Sequence, residues 1–170
     1  MKSRIPAEVA KVRRDVSGYA FHFVRRESTP ASTLGKILSD RCIEGRTYGF
    51  AVTPAVCFTD APLAEVVRQN GVLEAYDYMR LSLWGVGFKK EALYALGGRP
   101  VIYQAPAEIA LLESSIRWRH VDFDPAKVDY TWQREWRVPV PKLTFERVGP
   151  GIPLVFHSQD LFRHGCAFRD

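Results

Sequence analysis

The sequence predicts an α+β domain in which a mixed or antiparallel sheet is flanked by short helices. Segments rich in β-branched and aromatic residues alternate irregularly with short helical segments, unlike the regular alternation of a doubly wound parallel fold. Residues 84–88, Trp-Gly-Val-Gly-Phe, lack the third glycine that opens a helix in a dinucleotide-binding fingerprint. We interpret these glycines as sites of close backbone packing within a strand.

The predicted strands combine β-favouring residues with turn-forming residues at their ends. They lie at residues 19–24, 55–59, 84–88, 100–103, 131–138, 143–148 and 154–156. Caps mark the predicted helices: Ser32 or Thr33 begins the first, Gly71 ends the second and Pro106 opens the last. These helices cover residues 33–39, 63–70, 89–96 and 106–119.

Length and composition indicate one domain over residues 1–170, with residues 1–18 as a leading helix or loose arm. The net charge is +5, and seventeen Arg outnumber seven Lys. Because the guanidinium fork suits phosphate, one interpretation of this balance is an anionic partner. An ordinary solvated surface explains the charge equally well.

The cysteines and the hydropathy of the sequence indicate the cellular compartment of the protein. Cys42, Cys57 and Cys166 are odd in number and lack the spacing of a zinc site, so we expect reduced thiols and no metal. The chain has no signal-peptide core and no apolar run of membrane-spanning length. These features favour a cytoplasmic protein without a membrane partner.

The strand predicted at residues 131–138 contains the carboxylate on which the functional interpretation depends. Alternation places Gln133, Glu135 and Arg137 on one polar face. A carboxylate on a largely buried strand is costly unless it is paired or used. One interpretation is a structural ion pair, with Arg137 or with an arginine of a neighbouring strand. The other is a functional Gln-x-Glu, in which Glu135 meets a sugar and Gln133 an incoming nucleophile.

Two earlier strands offer candidate ligand contacts. His22 is either a core histidine that is hydrogen-bonded to backbone or a side chain that orients a ribose hydroxyl or carboxamide. Phe58, Thr59 and Asp60 either end a strand in an Asx-turn or stack and bond a flat heterocycle. The other histidines have no metal spacing and are expected at the surface; they are His120, His157 and His164.

Four short motifs follow one another along the chain. They are Phe21-His22-Phe23, the helical segment 34–38, residues 57–62 (Cys-Phe-Thr-Asp-Ala-Pro) and Gln133-Arg134-Glu135. In this order they resemble the motifs of the ADP-ribosyltransferase superfamily, most of all its short toxin-type branch that modifies nucleic acids. Segments 84–90, 97–103 and 134–137 also resemble AbiG-type abortive phage infection proteins. That second likeness covers residues 19–138 and is the closer of the two.

The resemblance implies a split mixed or antiparallel sheet and NAD as the substrate. It assigns Glu135 to the ribosyl cation that forms as nicotinamide leaves, and Gln133 to the acceptor. The residues that it implies for NAD contacts are Phe58 at nicotinamide, His22 and Thr59 at the ribose, and Arg25 or Arg26 at the pyrophosphate.

The resemblance also implies bacterial phage defence or a toxin–antitoxin pair, with nucleic acid or protein as the acceptor. Two alternatives stay open. One is a catalytically silent binding partner or antitoxin on the same fold, and the other is an NAD glycohydrolase, in which water replaces the acceptor. Affinity for single-stranded nucleic acid should fall as salt rises. The basic face expected beside the site consists of Arg25, Arg26, Arg134 and Arg137.

Overall fold

The main structural element is an antiparallel sheet of six strands. The structure, a computed structural model, describes residues 17–25, 29–48, 53–75, 81–149 and 152–155. Within these ranges the strands are β1 (Tyr19–Arg25), β2 (Cys42–Glu44), β3 (Val56–Thr59), β4 (Leu81–Lys89), β5 (Arg99–Pro100), β6 (Ile102–Gln104), β7 (His120–Asp122), β8 (Glu135–Val138), β9 (Lys142–Thr144) and β10 (Ile152–Val155). The strand order in the main sheet is β10-β4-β1-β3-β8-β5, with antiparallel neighbours throughout.

Two small sheets and short helices complete the described fold. Strands β2 and β9 pair antiparallel, whereas β6 and β7 pair parallel. The α-helices are α1 (Pro30–Asp40), α2 (Leu63–Ala75), α3 (Lys90–Ala95) and α4 (Phe145–Val148). Three 3₁₀ helices cover Pro106–Leu111, Ser114–Arg119 and Thr131–Gln133. The predicted α+β class, with an antiparallel main sheet and short helices, is confirmed.

The two faces of the main sheet bury different side chains, because successive residues of a strand point to opposite sides. The core face, which carries Ala20, Phe58 and Val138, packs against apolar residues of β2, β9 and α4. The opposite face carries Phe21, Thr59 and Glu135 and is named the site face here. At the β1 end, apolar residues near the start of α2 cover the site face.

The three strands expected to build the site are direct neighbours. Strand β3 lies between β1 and β8, so the segments predicted near 19–24, 55–59 and 131–138 belong to one sheet. Helix α1, predicted at 33–39, contacts both β1 and β4. Close backbone packing is confirmed at Gly85, where a Cβ atom would lie 2.3 Å from the carbonyl oxygen of His22.

The last site strand is shorter than predicted, and this is a correction. Strand β8 begins at Glu135, whereas residues 131–133 form a 3₁₀ turn. The Asp129 carboxylate accepts the N–H of Thr131 over 2.8 Å and also its hydroxyl, which turns the chain before it can extend. Arg134 then takes a left-handed backbone with φ of 46°. Gln133 therefore lies outside the strand, and the predicted alternation holds only from Glu135 onward.

Several helix predictions are also corrected. Helix α1 begins at Pro30, whose fixed φ suits the first turn, and not after Ser32 or Thr33. Helix α2 continues through Gly71 to Ala75. The single helix predicted over 106–119 is two 3₁₀ helices, and the predicted strand 143–148 becomes helix α4 after Thr144.

The remaining differences concern short strands and the start of the chain. The strand predicted at 100–103 is divided between β5 and β6, because the N–H of Val101 donates to the carbonyl of Glu135 in between. Strand β2 lies in a segment for which the sequence analysis predicted neither a strand nor a helix. Residues 1–16 of the predicted leading segment lie outside the described residues. In the ranges that the structure describes, no helix has the length and apolar character needed to cross a bilayer.

Candidate functional site

Thr59 and Glu135 are directly opposite each other on β3 and β8. Opposite residues of antiparallel strands project to the same side, so both side chains lie on the site face. The Thr59 hydroxyl donates to the carbonyl of Gln133 and accepts the N–H of Ala61 over 3.1 Å. A hydroxyl has one donor and two acceptor positions, so these two bonds leave one lone pair for a ligand.

Glu135 is held in an ion pair by Arg137, two residues along the same strand. Arg137 Nε donates to Glu135 Oε1 over 2.8 Å, and their side chains are only 6% and 12% exposed, respectively. Arg137 Nη1 also donates to the carbonyls of Trp118 (2.8 Å) and His120 (3.0 Å). The ion pair predicted as one alternative for Glu135 is therefore present. A catalytic role for the same carboxylate stays a prediction.

Neutral side chains surround this ion pair. Burial raises the pKa of Cys57 to about 12, and burial also raises the pKa of Tyr103 to about 12. Burial likewise raises the pKa of Tyr48, whose ring lies 4.8 Å from the guanidinium carbon of Arg137. The Cys57 thiol is therefore protonated near neutral pH and unsuited to act as a nucleophile.

An open groove of about 530 Å³ lies where β3 ends and β8 begins. One wall is the start of α2 and the segment before it, and the other is the turn that precedes Glu135. The groove volume falls within the range of small-molecule sites, and the walls bring an indole ring and a guanidinium to it. The lining residues are Pro62, Ala64, Glu65, Thr131, Trp132 and Arg134.

Asp60 holds two cations at the edge of this groove. Its carboxylate lies 3.1 Å from Lys90 Nζ and 3.4 Å from Arg134 Nε, and its N–H donates to the carbonyl of Arg134. These contacts support the left-handed backbone of Arg134, which costs free energy in a non-glycine residue. The predicted Asx-turn is corrected, since Thr59 and not Asp60 accepts the N–H of Ala61.

His22 lies on the core face, away from Thr59 and Glu135. Since Phe21 pairs with Thr59, the next residue of β1 points to the other side of the sheet. Its Nδ1 donates to the carbonyl of Cys57 over 2.9 Å, and its ring meets the edge of Phe58. His22 is therefore a core histidine that is hydrogen-bonded to backbone, as one of the two interpretations predicted. Its side chain does not converge with those of Thr59 and Glu135.

Phe58 is also on the core face and is 2% exposed. Its ring packs edge-on against Phe88 with the centroids 6.2 Å apart. A ligand ring would reach Phe58 only after the core face had opened. The predicted contacts of Phe58 and His22 with NAD are therefore separated from the groove by the sheet, and they stay predictions.

Burial lowers the pKa of His22 from its ordinary value of 6.5, although the bond to the Cys57 carbonyl opposes the shift. The unfolded chain then binds a proton near pH 6.5 that the folded chain does not bind. We expect stability to fall as the pH drops below about 6.5, by at most about 1.4 kcal/mol per pH unit from this group. Urea unfolding at several pH values measures this. The free energy of unfolding of His22→Asn should fall less steeply with decreasing pH than that of the wild type, and equal pH dependence in both proteins would contradict this.

Two expectations about the surface are corrected. Arg137 is buried in the ion pair and is not part of a basic face. His120 is 8% exposed, because its parallel pairing with Ile102 brings it under the neighbouring segment. Arg25 is exposed at the end of β1, whereas Arg26, His157 and His164 lie outside the described residues.

Sequence reasoning missed two residues near the site. Trp132 falls within the strand predicted at residues 131–138, and the Asp129-x-Thr131 turn signal beside it could have placed it in a turn instead. Lys90 reaches Asp60 only through the tertiary fold, and no local signal indicates that contact.

The comparisons with protein-family models, curated proteins and solved structures found no match. Within the described ranges, no three His, Cys, Asp or Glu side chains are grouped as metal ligands. The functional conclusion therefore depends on the Thr59–Glu135 pair, the groove and the sequence motifs.

Proposed function

We propose that this chain is an NAD-dependent ADP-ribosyltransferase-like enzyme with Glu135 at the reacting centre. The observation that supports this most is the direct pairing of Thr59 and Glu135, the last residue of β3 and the first of β8, next to the chain segments that line the groove. Two oxygen-bearing side chains at that spacing suit the hydroxyl groups of one ribose. The groove is large enough for a nicotinamide nucleoside, and Trp132 supplies a ring for stacking.

In this proposal the bond between ribose C1′ and the nicotinamide nitrogen breaks first, and its electron pair leaves with neutral nicotinamide. The ribosyl group then develops oxocarbenium character, as at other glycosidic centres. Glu135 accepts a ribose hydroxyl and stabilises the cation from a position that Arg137 fixes. An acceptor heteroatom, oriented by Gln133, bonds to C1′ and releases its proton to solvent.

The cellular role follows from the sequence resemblance. We propose cytoplasmic action in bacterial phage defence or a toxin–antitoxin pair, with a cognate antitoxin or toxin as protein partner. The acceptor is a nucleic acid or a protein, and Arg25 or Arg134 is the proposed contact for the pyrophosphate of NAD.

One observation favours a second candidate, a catalytically silent binding partner or antitoxin. The Glu135–Arg137 pair is closed and nearly buried, and Arg137 also bonds to the carbonyls of Trp118 and His120. That arrangement would serve a scaffold equally well. An NAD glycohydrolase would use the same centre with water as the acceptor.

The test is to incubate the purified chain with NAD and to measure nicotinamide release, with and without single-stranded nucleic acid or bacterial protein extract. Release that requires an acceptor, together with ADP-ribose attached to that acceptor, supports the transferase. Release without an acceptor identifies the glycohydrolase. No release under any of these conditions would overturn the enzymatic proposal in favour of the binding partner.

A further inference from the structure

Strand β5 forms one edge of the main sheet, and its Arg99 is rigidly held there. Arg99 Nη1 donates to the carbonyls of Tyr94 (3.0 Å) and Gly98 (2.7 Å). The guanidinium carbon lies 3.7 Å from the centroid of the Tyr94 ring, so the cation is stacked on that ring. Tyr94 remains 55% exposed, which leaves ring surface open to solvent.

A second arginine is brought to the same edge. Arg119 Nε donates to the carbonyl of Pro100, the residue that follows Arg99, over 2.9 Å. Burial and the nearby charge of Arg99 lower the pKa of Arg119, which agrees with this proximity. In the described part of the chain, neither guanidinium has a carboxylate partner. Two like charges held together and left uncompensated favour an anion beside them.

We propose that the surface formed by Tyr94, Arg99 and Arg119 binds single-stranded nucleic acid, with a phosphate at the two arginines and a base on the open ring surface of Tyr94. The bonds to carbonyls use Nη1 of Arg99 and Nε of Arg119. The other guanidinium nitrogens make no bonds within the described residues, and they present donors in the fork geometry that suits phosphate.

The exposed ring distinguishes this partner from an acidic protein. Carboxylates of a peptide would satisfy both arginines but would leave Tyr94 without a role, whereas single strands combine phosphate contacts with bases that stack on aromatic rings. This surface differs from the basic face expected from the sequence, which included the buried Arg137. Binding here requires neither NAD nor Glu135, so it goes beyond the proposed chemistry.

The experiment is fluorescence anisotropy of a labelled oligothymidylate of about 12 nucleotides, titrated with the full chain between about 50 and 200 mM salt. The variant Arg99→Gln/Arg119→Gln should weaken binding at least tenfold and reduce the slope of log K against log salt by about 0.7, the value for one lost single-strand phosphate contact. Tyr94→Ala should weaken binding about tenfold with an unchanged slope, because a stacking contact releases no counterions.

The matched control is Arg147→Gln, which removes one charge from an exposed arginine on α4 and should leave the affinity and the slope unchanged. Thermal unfolding identifies any variant that is not folded, and Arg119→Gln alone then tests the phosphate contact. Absence of binding by the wild-type chain, equal binding by all variants, or stronger competition by polyglutamate than by the unlabelled oligonucleotide would each overturn the proposal. If one of these results overturns the nucleic-acid proposal but the chain still releases nicotinamide from NAD, the NAD proposal is unaffected.

Discussion

Replacement of Glu135 by Gln is expected to lower nicotinamide release about 10²–10³-fold, the usual cost of losing a preorganised electrostatic group. Gln has nearly the same shape and can still accept a hydrogen bond from Arg137, but it has no charge to stabilise the ribosyl cation. Because that charge matters chiefly in the transition state, the loss should appear in kcat, with little change in KM for NAD.

The same change also affects stability, so turnover must be normalised to folded protein. A neutral side chain no longer compensates the nearly buried Arg137, and the melting temperature should fall. Glu146→Gln is the matched control, because it alters an exposed pair with Arg41 and should change neither turnover nor melting. A stability loss with unchanged turnover per folded molecule would show that Glu135 is only structural.

The positions of the main strands could be predicted because composition indicates them locally. Aromatic and β-branched residues identified β1 and β3, and the requirement for one site brought them together with β8. The structure places these three strands side by side in that order. The pairing of Thr59 with Glu135 fits this expectation, although no sequence rule specifies which residues stand opposite each other.

The face of the sheet on which each side chain lies was harder to predict, because it depends on the register of the strands. One residue separates Phe21 from His22, and the pairing of Phe21 with Thr59 sends His22 to the core face. Only the cross-strand pairing decides which of the two residues lies on the site face. Composition does not determine that pairing, since the phenyl rings of β1 lie on the site face whereas Phe58, the ring of β3, lies on the core face.

The turn before Glu135 escaped prediction for a different reason. Residues 130–134 have strong β-favouring side chains, and local propensity predicts an extended strand. The Asp129 carboxylate and the contacts of Arg134 with Asp60 favour the turn instead. Of these, only the Asp129 turn is local in sequence, whereas the Asp60 contact depends on the sheet already being formed. The turn also forms one wall of the groove. The candidate site therefore depends on a turn that the β propensity of its residues does not predict.

Replacement of Arg137 by Met is expected to lower the free energy of unfolding by about 3–5 kcal/mol, the range for breaking a buried ion pair from one side. Met fills much of the same space but leaves the Glu135 carboxylate without its cation. The carbonyls of Trp118 and His120 lose their donor as well, which removes two of the bonds that hold the 3₁₀ segment and β7 against the main sheet. Urea denaturation with the linear extrapolation measures the loss.

A double-mutant cycle separates the ion pair from the carbonyl bonds. Glu135→Gln/Arg137→Met should be less destabilised than the sum of its single variants, by about 0.5–3 kcal/mol, because the two side chains interact directly. The matched control Arg41→Met breaks the exposed pair with Glu146 and should leave stability unchanged within error. If Arg137→Met lowers the free energy of unfolding by less than about 1 kcal/mol, the Glu135–Arg137 pair contributes no more than a surface ion pair does. Glu135 would then have little structural role, and its position opposite Thr59 would favour the catalytic role.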